Sequence, residues 1–270
     1  MEDLLGLSGQ TAFVVGAGRG AGRGIAIELA RAGMHVAVVD LDADGSAETV
    51  RKIEALGARG LALTANAMIA DELESALSEA TKAFGPLRVG VNNIGNFGQH
   101  PSSSVLEHDW DFWQTAIDRN LRTTFVGARA MARSMIHEGT AGAIVNIASL
   151  SGLRGSPNLA PYGAAKAGVM QFTQSLALEL APHGIRVNCV APTAIDGPTL
   201  RESLSPEAIE ARAASMPLGR IAQPEDVGRT VLMLASDLAG FVTGQTIMCD
   251  GVVSCTTQRP TVASGEARPR

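Results

Sequence analysis

The chain has few cysteines, no long apolar run and no basic tract, and each shortage removes a class of function. Its three cysteines, Cys189, Cys249 and Cys255, lie far apart or together on one late segment. No CxxC or Cys/His spacing offers a metal site, and the odd number fits a reducing compartment. Cys189 and Cys249 read as small apolar core residues. No apolar run is long enough to span a bilayer. Met1 to Gln10 holds two acids and no basic n-region, so it does not read as a secretory signal. A net charge of -5 with no basic cluster argues against nucleic acid as a partner. The expectation is a cytoplasmic protein without metal, membrane or nucleic-acid partners.

What is present describes a compact globular chain. Of 270 residues, 46% are hydrophobic and only 18% charged, which is enough to bury a sizeable core. Strand and helix patterns alternate. Strands are expected at 11–15, 35–39, 60–64, 88–91, 143–148, 185–190 and 246–249. Helices are expected at 23–32, 46–56, 71–84, 109–138 (broken near its start), 162–181 and 224–235. Short apolar strands between helices predict one doubly wound parallel sheet, an α/β fold with helices on both faces. Residues 1–257 read as a single domain, and 258–270, rich in Pro, Ser, Thr, Gly and Arg, as a flexible tail.

Between the first strand and first helix lies Gly16-Ala17-Gly18-Arg19-Gly20-Ala21-Gly22-Arg23-Gly24. Glycines there permit a tight turn and close approach of backbone to a ligand. The helix that follows offers free N–H groups to a pyrophosphate. Asp40 ends the next strand, where a carboxylate accepts hydrogen bonds from the adenosine ribose. That carboxylate repels a 2′-phosphate and favours NAD over NADP. Arg19 pulls the other way, unless it is solvated or bonded to Asp40.

Tyr162 and Lys166 lie four apart, on one face of a helix. A cation beside a phenol favours the phenolate and lowers its pKa. A phenol so tuned trades a proton with an alcohol or ketone. As an isolated pair they would be an ordinary surface pair; the surrounding motifs decide between the readings.

Those motifs resemble the classical short-chain dehydrogenase/reductase family, from about Leu7 to Val252. Gly16, Gly20 and Gly22 match the TGxxxGxG loop, with Val15 for Thr. Asn92-Asn93-Ile94-Gly95 resembles NNAG, with Ile94 for Ala. Asn120 sits where the family has its catalytic Asn, and Ser149 precedes Tyr162 by thirteen residues. Pro192 begins the usual PG segment, with Thr193 for Gly. Asn66 stands for the Asp that contacts adenine, and Gly197 for a Thr five residues after Pro192. Val242-Thr243-Gly244-Gln245 and Asp250-Gly251 look like the closing segment.

The resemblance implies a Rossmann-type sheet and an oxidoreductase acting on CH–OH groups. It implies a tetrad of Asn120, Ser149, Tyr162 and Lys166. Tyr162 would exchange the proton, Lys166 lower its pKa and hold the nicotinamide ribose, Ser149 bind the substrate oxygen, and Asn120 hold a water. The cofactor, NAD with NADP as the alternative, would touch Gly16, Arg19, Gly20, Ala21, Gly22, Asp40, Leu41, Asn66, Ala67, Asn93, Ile94, Gly95, Tyr162, Lys166, Pro192, Thr193 and Ile195. Family members often form tetramers, so a homotetramer or homodimer is expected. Three loops should build the substrate pocket: 96–105 with Phe97 and His100, 150–161 with Leu153, Arg154 and Leu159, and 193–216 as a mobile lid. Leu150, Leu153 and Leu159 point to an apolar or cyclic alcohol or ketone; His100 and Arg154 would suit a polar or acidic one. An NADP(H)-dependent carbonyl or acyl-chain reductase and a non-catalytic cofactor sensor are the competing readings; retention of the full tetrad opposes the sensor.

Overall fold

A computed structural model describes residues 3–96 and 104–256. Phe97, His100 and the 258–270 tail lie outside the described residues. Seven strands form one parallel sheet in the order β3-β2-β1-β4-β5-β6-β7. They are β1 (Thr11–Val15), β2 (His35–Asp40), β3 (Gly60–Thr64), β4 (Leu87–Asn92), β5 (Ala143–Ile147), β6 (Arg186–Pro192) and β7 (Thr246–Cys249). The intervening helices are α1 (Gly20–Arg31), α2 (Ala43–Glu54), α3 (Ala70–Phe84), α4 (Trp110–Ile117), α5 (Thr123–Glu138), α6 (Ala160–Leu180), α7 (Pro198–Ser203), α8 (Pro206–Ala214) and α9 (Pro224–Ala235).

The central strands are largely apolar because both faces of the sheet are covered there. Successive residues of β1 serve different cores. Ala12 and Val14 pack with Ile25 and Leu29 of α1 and Val231 of α9. Phe13 and Val15 pack with Leu73 of α3 and Met131 of α5. This is the two-residue period of a strand buried on both sides. The strand order reverses between β1 and β4, whose registers bring Val15 opposite Asn92. Such a switch point opens a crevice at the carboxyl ends of the strands.

Two differences from the expected elements bear on the site. The helix expected to break near its start instead runs on through a π-helical turn, Asp118–Arg122, between α4 and α5. That extra residue per turn carries Asn120 into the interior, where it is fully buried. The hydroxyls of Thr124 and Thr123 donate to the Asn120 carbonyl at 2.7 and 3.3 Å, satisfying an acceptor that the widened turn loosens. The 193–216 stretch also contains two short helices, α7 and α8, where only a loop was expected.

Candidate active site

At the end of β5 the chain turns at Ser149, whose hydroxyl oxygen accepts the Ser151 N–H at 3.2 Å. The hydroxyls of Ser149 and Tyr162 share a hydrogen bond. Tyr162 is the only tyrosine in the chain. It stands in the first turn of α6, with Lys166 one turn further on. A buried polar chain fixes helix against strand. The Asn92 amide donates to Asn146 at 2.9 Å, and the Asn146 amide donates to Thr173 of α6 at 3.0 Å. Sequence reasoning missed Asn146 and Thr173. The available signal was an asparagine in the centre of a buried strand, a residue strands otherwise avoid.

Lys166 is 2% exposed. Its ammonium donates to the Ile147 carbonyl at 2.8 Å and to the Ile94 carbonyl at 3.5 Å. Burial pushes its pKa down to about 8, partly opposed by the nearby Cys189 thiol, itself pushed up to about 11 by burial. Tyr162 departs from expectation. Desolvation pushes its phenol above the ordinary range, and the Ser149 hydrogen bond only partly offsets this. The Lys166 ammonium is 5.8 Å from the centroid of the phenol ring and spends its short bond on backbone, so it does not produce the expected lowering here.

Asn120 completes the group. Its amide donates to the Asn96 carbonyl at 2.7 Å and the Ala116 carbonyl at 2.8 Å. Its Oδ1 is buried and has no hydrogen-bond partner. Gly95 makes the convergence possible. A Cβ there would fall 2.6 Å from Asn120 Oδ1 and collide with the Lys166 ammonium.

The glycine loop lies across the switch point. Gly16 has φ +79°, and its carbonyl accepts the Asn93 amide at 2.8 Å. A Cβ on Gly22 would overlap that carbonyl and reach 2.6 Å from Asn93 Nδ2. Arg19, the residue before α1, gives the helix no side-chain cap. Asp40 Oδ2 accepts the Gly18 N–H at 2.9 Å and Oδ1 the Asp42 N–H at 3.1 Å. A carboxylate has about four lone-pair sites, so acceptor capacity is left over. Arg19 pairs not with Asp40 but with Glu202 of α7, at 3.4 Å. Leu41 is exposed beside Asp40 and Ala67 is buried. Asn66 Oδ1 accepts the Met68 N–H at 3.0 Å, which ties it to its own turn and leaves its amide donor and one lone pair. Arg23 of α1 and Thr49 of α2 brace the loop: Thr49 donates to the Ala17 carbonyl at 3.0 Å, and Arg23 pairs with Glu48 of α2 at 2.8 Å.

On the other side, Thr193 follows Pro192, and Ile195 bridges to Ala222. A cavity of about 290 Å³ lies at the ends of β6 and β7, lined by residues including Thr193, Met216, Leu218, Arg220, Cys249 and Asp250. A second hollow of about 340 Å³ is lined by the 151–164 loop, with Leu153, Arg154 and Leu159. Ser149 and Tyr162 line neither. Arg154 is not free for a substrate: its guanidinium donates to the Val253 carbonyl at 2.6 Å and the Thr256 carbonyl at 2.9 Å. Thr199 uses its carbonyl to accept the Ser203 hydroxyl at 2.6 Å within α7.

A family model described as enoyl-(acyl carrier protein) reductase matches residues 16–253. The chain is 40% identical over 243 residues to the 3-oxoacyl-[acyl-carrier-protein] reductase FabG of Staphylococcus aureus, covering 90% of this chain and 97% of that protein. It is 36% identical over 253 residues to cyclohexanol dehydrogenase of an Acinetobacter species, covering 93% and 98%. Among solved structures, a short-chain type dehydrogenase/reductase from Mycobacterium marinum superposes with TM-score 0.87 at 31% identity, covering 94% of this chain and 99% of that one. A 7α-hydroxysteroid dehydrogenase, complexed with NADH and 7-oxo glycochenodeoxycholic acid, gives 0.85 at 30%, covering 93% and 96%.

Proposed function

Since the chain belongs to the classical short-chain dehydrogenase/reductase family and is an oxidoreductase of CH–OH or carbonyl groups, we propose that it interconverts a secondary alcohol and its ketone with NAD(H). The observation that carries this reading is the shared hydrogen bond of Ser149 and Tyr162, one helical turn from the buried ammonium of Lys166.

The residues present fit a nicotinamide dinucleotide. Gly16, Gly20 and Gly22 form a tight loop that a Cβ at Gly22 would break against the Gly16 carbonyl. The first turn of α1 has no side-chain cap and suits a pyrophosphate. Asp40 faces that loop with spare acceptor capacity for ribose hydroxyls. The unpartnered Oδ1 of Asn120 suits a bound water beside Lys166. Asn66, Ala67, Asn93, Ile94, Gly95, Thr193 and Ile195 would complete the cleft. The engagement of Arg19 by Glu202 supports NAD, since it draws the cation away from a 2′-phosphate.

When bound, the nicotinamide supplies or accepts the hydride. Tyr162 gives a proton to the ketone oxygen, or takes it from the alcohol. Ser149 donates to the same oxygen as charge develops on it. Lys166, anchored by two carbonyls, would hold the nicotinamide ribose one helical turn from Tyr162. Asn120 positions the proton path behind Lys166. The 193–216 segment acts as a lid. The leucines of the 150–161 loop and the likeness to cyclohexanol dehydrogenase both support an apolar or cyclic substrate.

A second reading, NADP(H)-dependent reduction of a 3-oxoacyl chain, is favoured by the likeness to FabG. A panel of secondary alcohols, ketones and 3-oxoacyl thioesters, read by nicotinamide absorbance with both cofactors, separates the two. In that assay Tyr162→Phe should lose about 10²–10⁴-fold in turnover. Turnover equal to wild type would refute the mechanism.

A further inference from the structure

Three arginines around the 193–216 segment have carboxylate partners. Arg19 pairs with Glu202, Arg201 with Asp196 and Arg220 with Asp226. Arg212, on α8, has none among the described residues, and its Nε is buried without a hydrogen-bond partner. A guanidinium stays charged and carries five N–H donors, so burying one unpaired is costly. The burial also pushes its pKa down.

Its placement on α8 is not incidental. Ala208, Ile209, Arg212 and Ala213 are half-buried, while Glu207, Glu210, Ala211 and Ala214 are exposed. Arg212 therefore belongs to the inward face of the helix. Met216, two residues past the end of α8, is buried and lines the cavity that also contains Thr193. Both acids of that cavity are already satisfied. Asp226 is held by Arg220, and Asp250 accepts the Val252 and Ser254 N–H groups at 3.1 and 2.6 Å. Arg154, the arginine expected to suit an acidic substrate, is consumed by two backbone carbonyls.

We propose that Arg212 is a specificity residue that binds an oxyanion, a carboxylate or a phosphate ester, carried by the substrate away from its reacting carbon. This deepens the proposed function and rests on its reading of 193–216 as a lid. The apolar body of the substrate would lie along the 150–161 loop, and α8 would close on its charged end. The unmade Nε–H bond of Arg212 is then made on closure, so substrates lacking the anion leave it unpaired and are selected against.

Calorimetry tests this without turnover. The probes are cyclohexanecarboxylate, cyclohexyl phosphate and the neutral cyclohexanecarboxamide, titrated into the protein alone and with NADH. Wild type should bind one or both anions about ten- to a hundredfold tighter than the amide, and the tighter anion identifies the class. Arg212→Met should erase that preference while leaving amide binding unchanged, and Arg212→Lys should restore part of it. Thermal melts check that each variant is folded. Three results would overturn the proposal: no anion preference in wild type, a preference that survives Arg212→Met, or a loss confined to NADH binding. Tyr162→Phe should keep the anion preference, so a failure of the proton-transfer reading is distinguishable from a failure of this one.

Discussion

The Lys166 ammonium donates to the Ile147 carbonyl at 2.8 Å and stands 5.8 Å from the centroid of the Tyr162 ring. The two residues share a helix face without a direct polar contact between them. Burial therefore dominates the phenol and raises its pKa, and Ser149 supplies the opposing influence. Because Tyr162 is the only tyrosine, tyrosinate absorbance in the near ultraviolet reports it alone. In the cofactor-free protein its midpoint should lie above the ordinary tyrosine value of about 10. Ser149→Ala should move it further up. A midpoint below that value, or a downward move in Ser149→Ala, would contradict this account.

Gly95 is where Asn120 and Lys166 come together. Gly95→Ala places a methyl group 2.6 Å from Asn120 Oδ1 and against the ammonium. Neither neighbour can yield easily, since Asn120 is fixed by two carbonyls and Lys166 by two others. The expected cost is about 1–3 kcal/mol of stability, read by urea unfolding, with turnover falling with it. An unchanged melt and unchanged rate would show that the two side chains have more freedom than this packing implies.

Cofactor choice turns on Asp40. Asp40→Ser keeps one acceptor for the Gly18 N–H but removes the charge that repels a 2′-phosphate. The ratio of kcat/KM with NADP to that with NAD should rise at least about tenfold. Adding Glu202→Gln releases Arg19 from its exposed partner and should raise the ratio again. A ratio insensitive to both changes would place cofactor selection elsewhere.

The strands were legible in the chain because a parallel sheet buried on both faces makes each strand an apolar run, and all seven expected strands are present. The glycine loop was legible because positive φ and close packing admit few other residues. The π turn was not, because a local widening of a helix leaves the apolar periodicity almost intact. Neither were α7 and α8, which bury no residue fully and so show little apolar pattern. The direction of the Tyr162 shift was hidden for another reason. Helical spacing places Lys166 on the right face but does not say which oxygen its ammonium will choose. Arg154 shows the same limit: a cation in a substrate loop reads as a ligand until the backbone carbonyls of Val253 and Thr256 claim it.

Lys166 also ties stability to pH. Its pKa is about 8 when folded, against 10.5 as the ordinary value. Between these values the unfolded chain holds a proton that the folded protein has largely released, so stability rises with pH. Cys189 acts in the opposite sense. Its folded pKa of about 11 exceeds the ordinary 9.0, so its contribution is lost as pH rises above 9. Between pH 8 and 9 Lys166 dominates, while the unfolded Cys189 and Cys249 thiols, ionising around their ordinary 9.0, take back part of its gain. Stability there should increase by roughly half a kcal/mol, about 1 kcal/mol from Lys166 less what the cysteines remove, since each full proton of difference contributes about 1.4 kcal/mol per pH unit. Lys166→Met should abolish the increase, whatever it does to absolute stability by leaving the Ile147 carbonyl without its donor. The same variant should lose turnover. Urea unfolding of both proteins at pH 8.0 and 9.0 decides the matter: an equal slope in the two would mean that the buried lysine is not the titrating group.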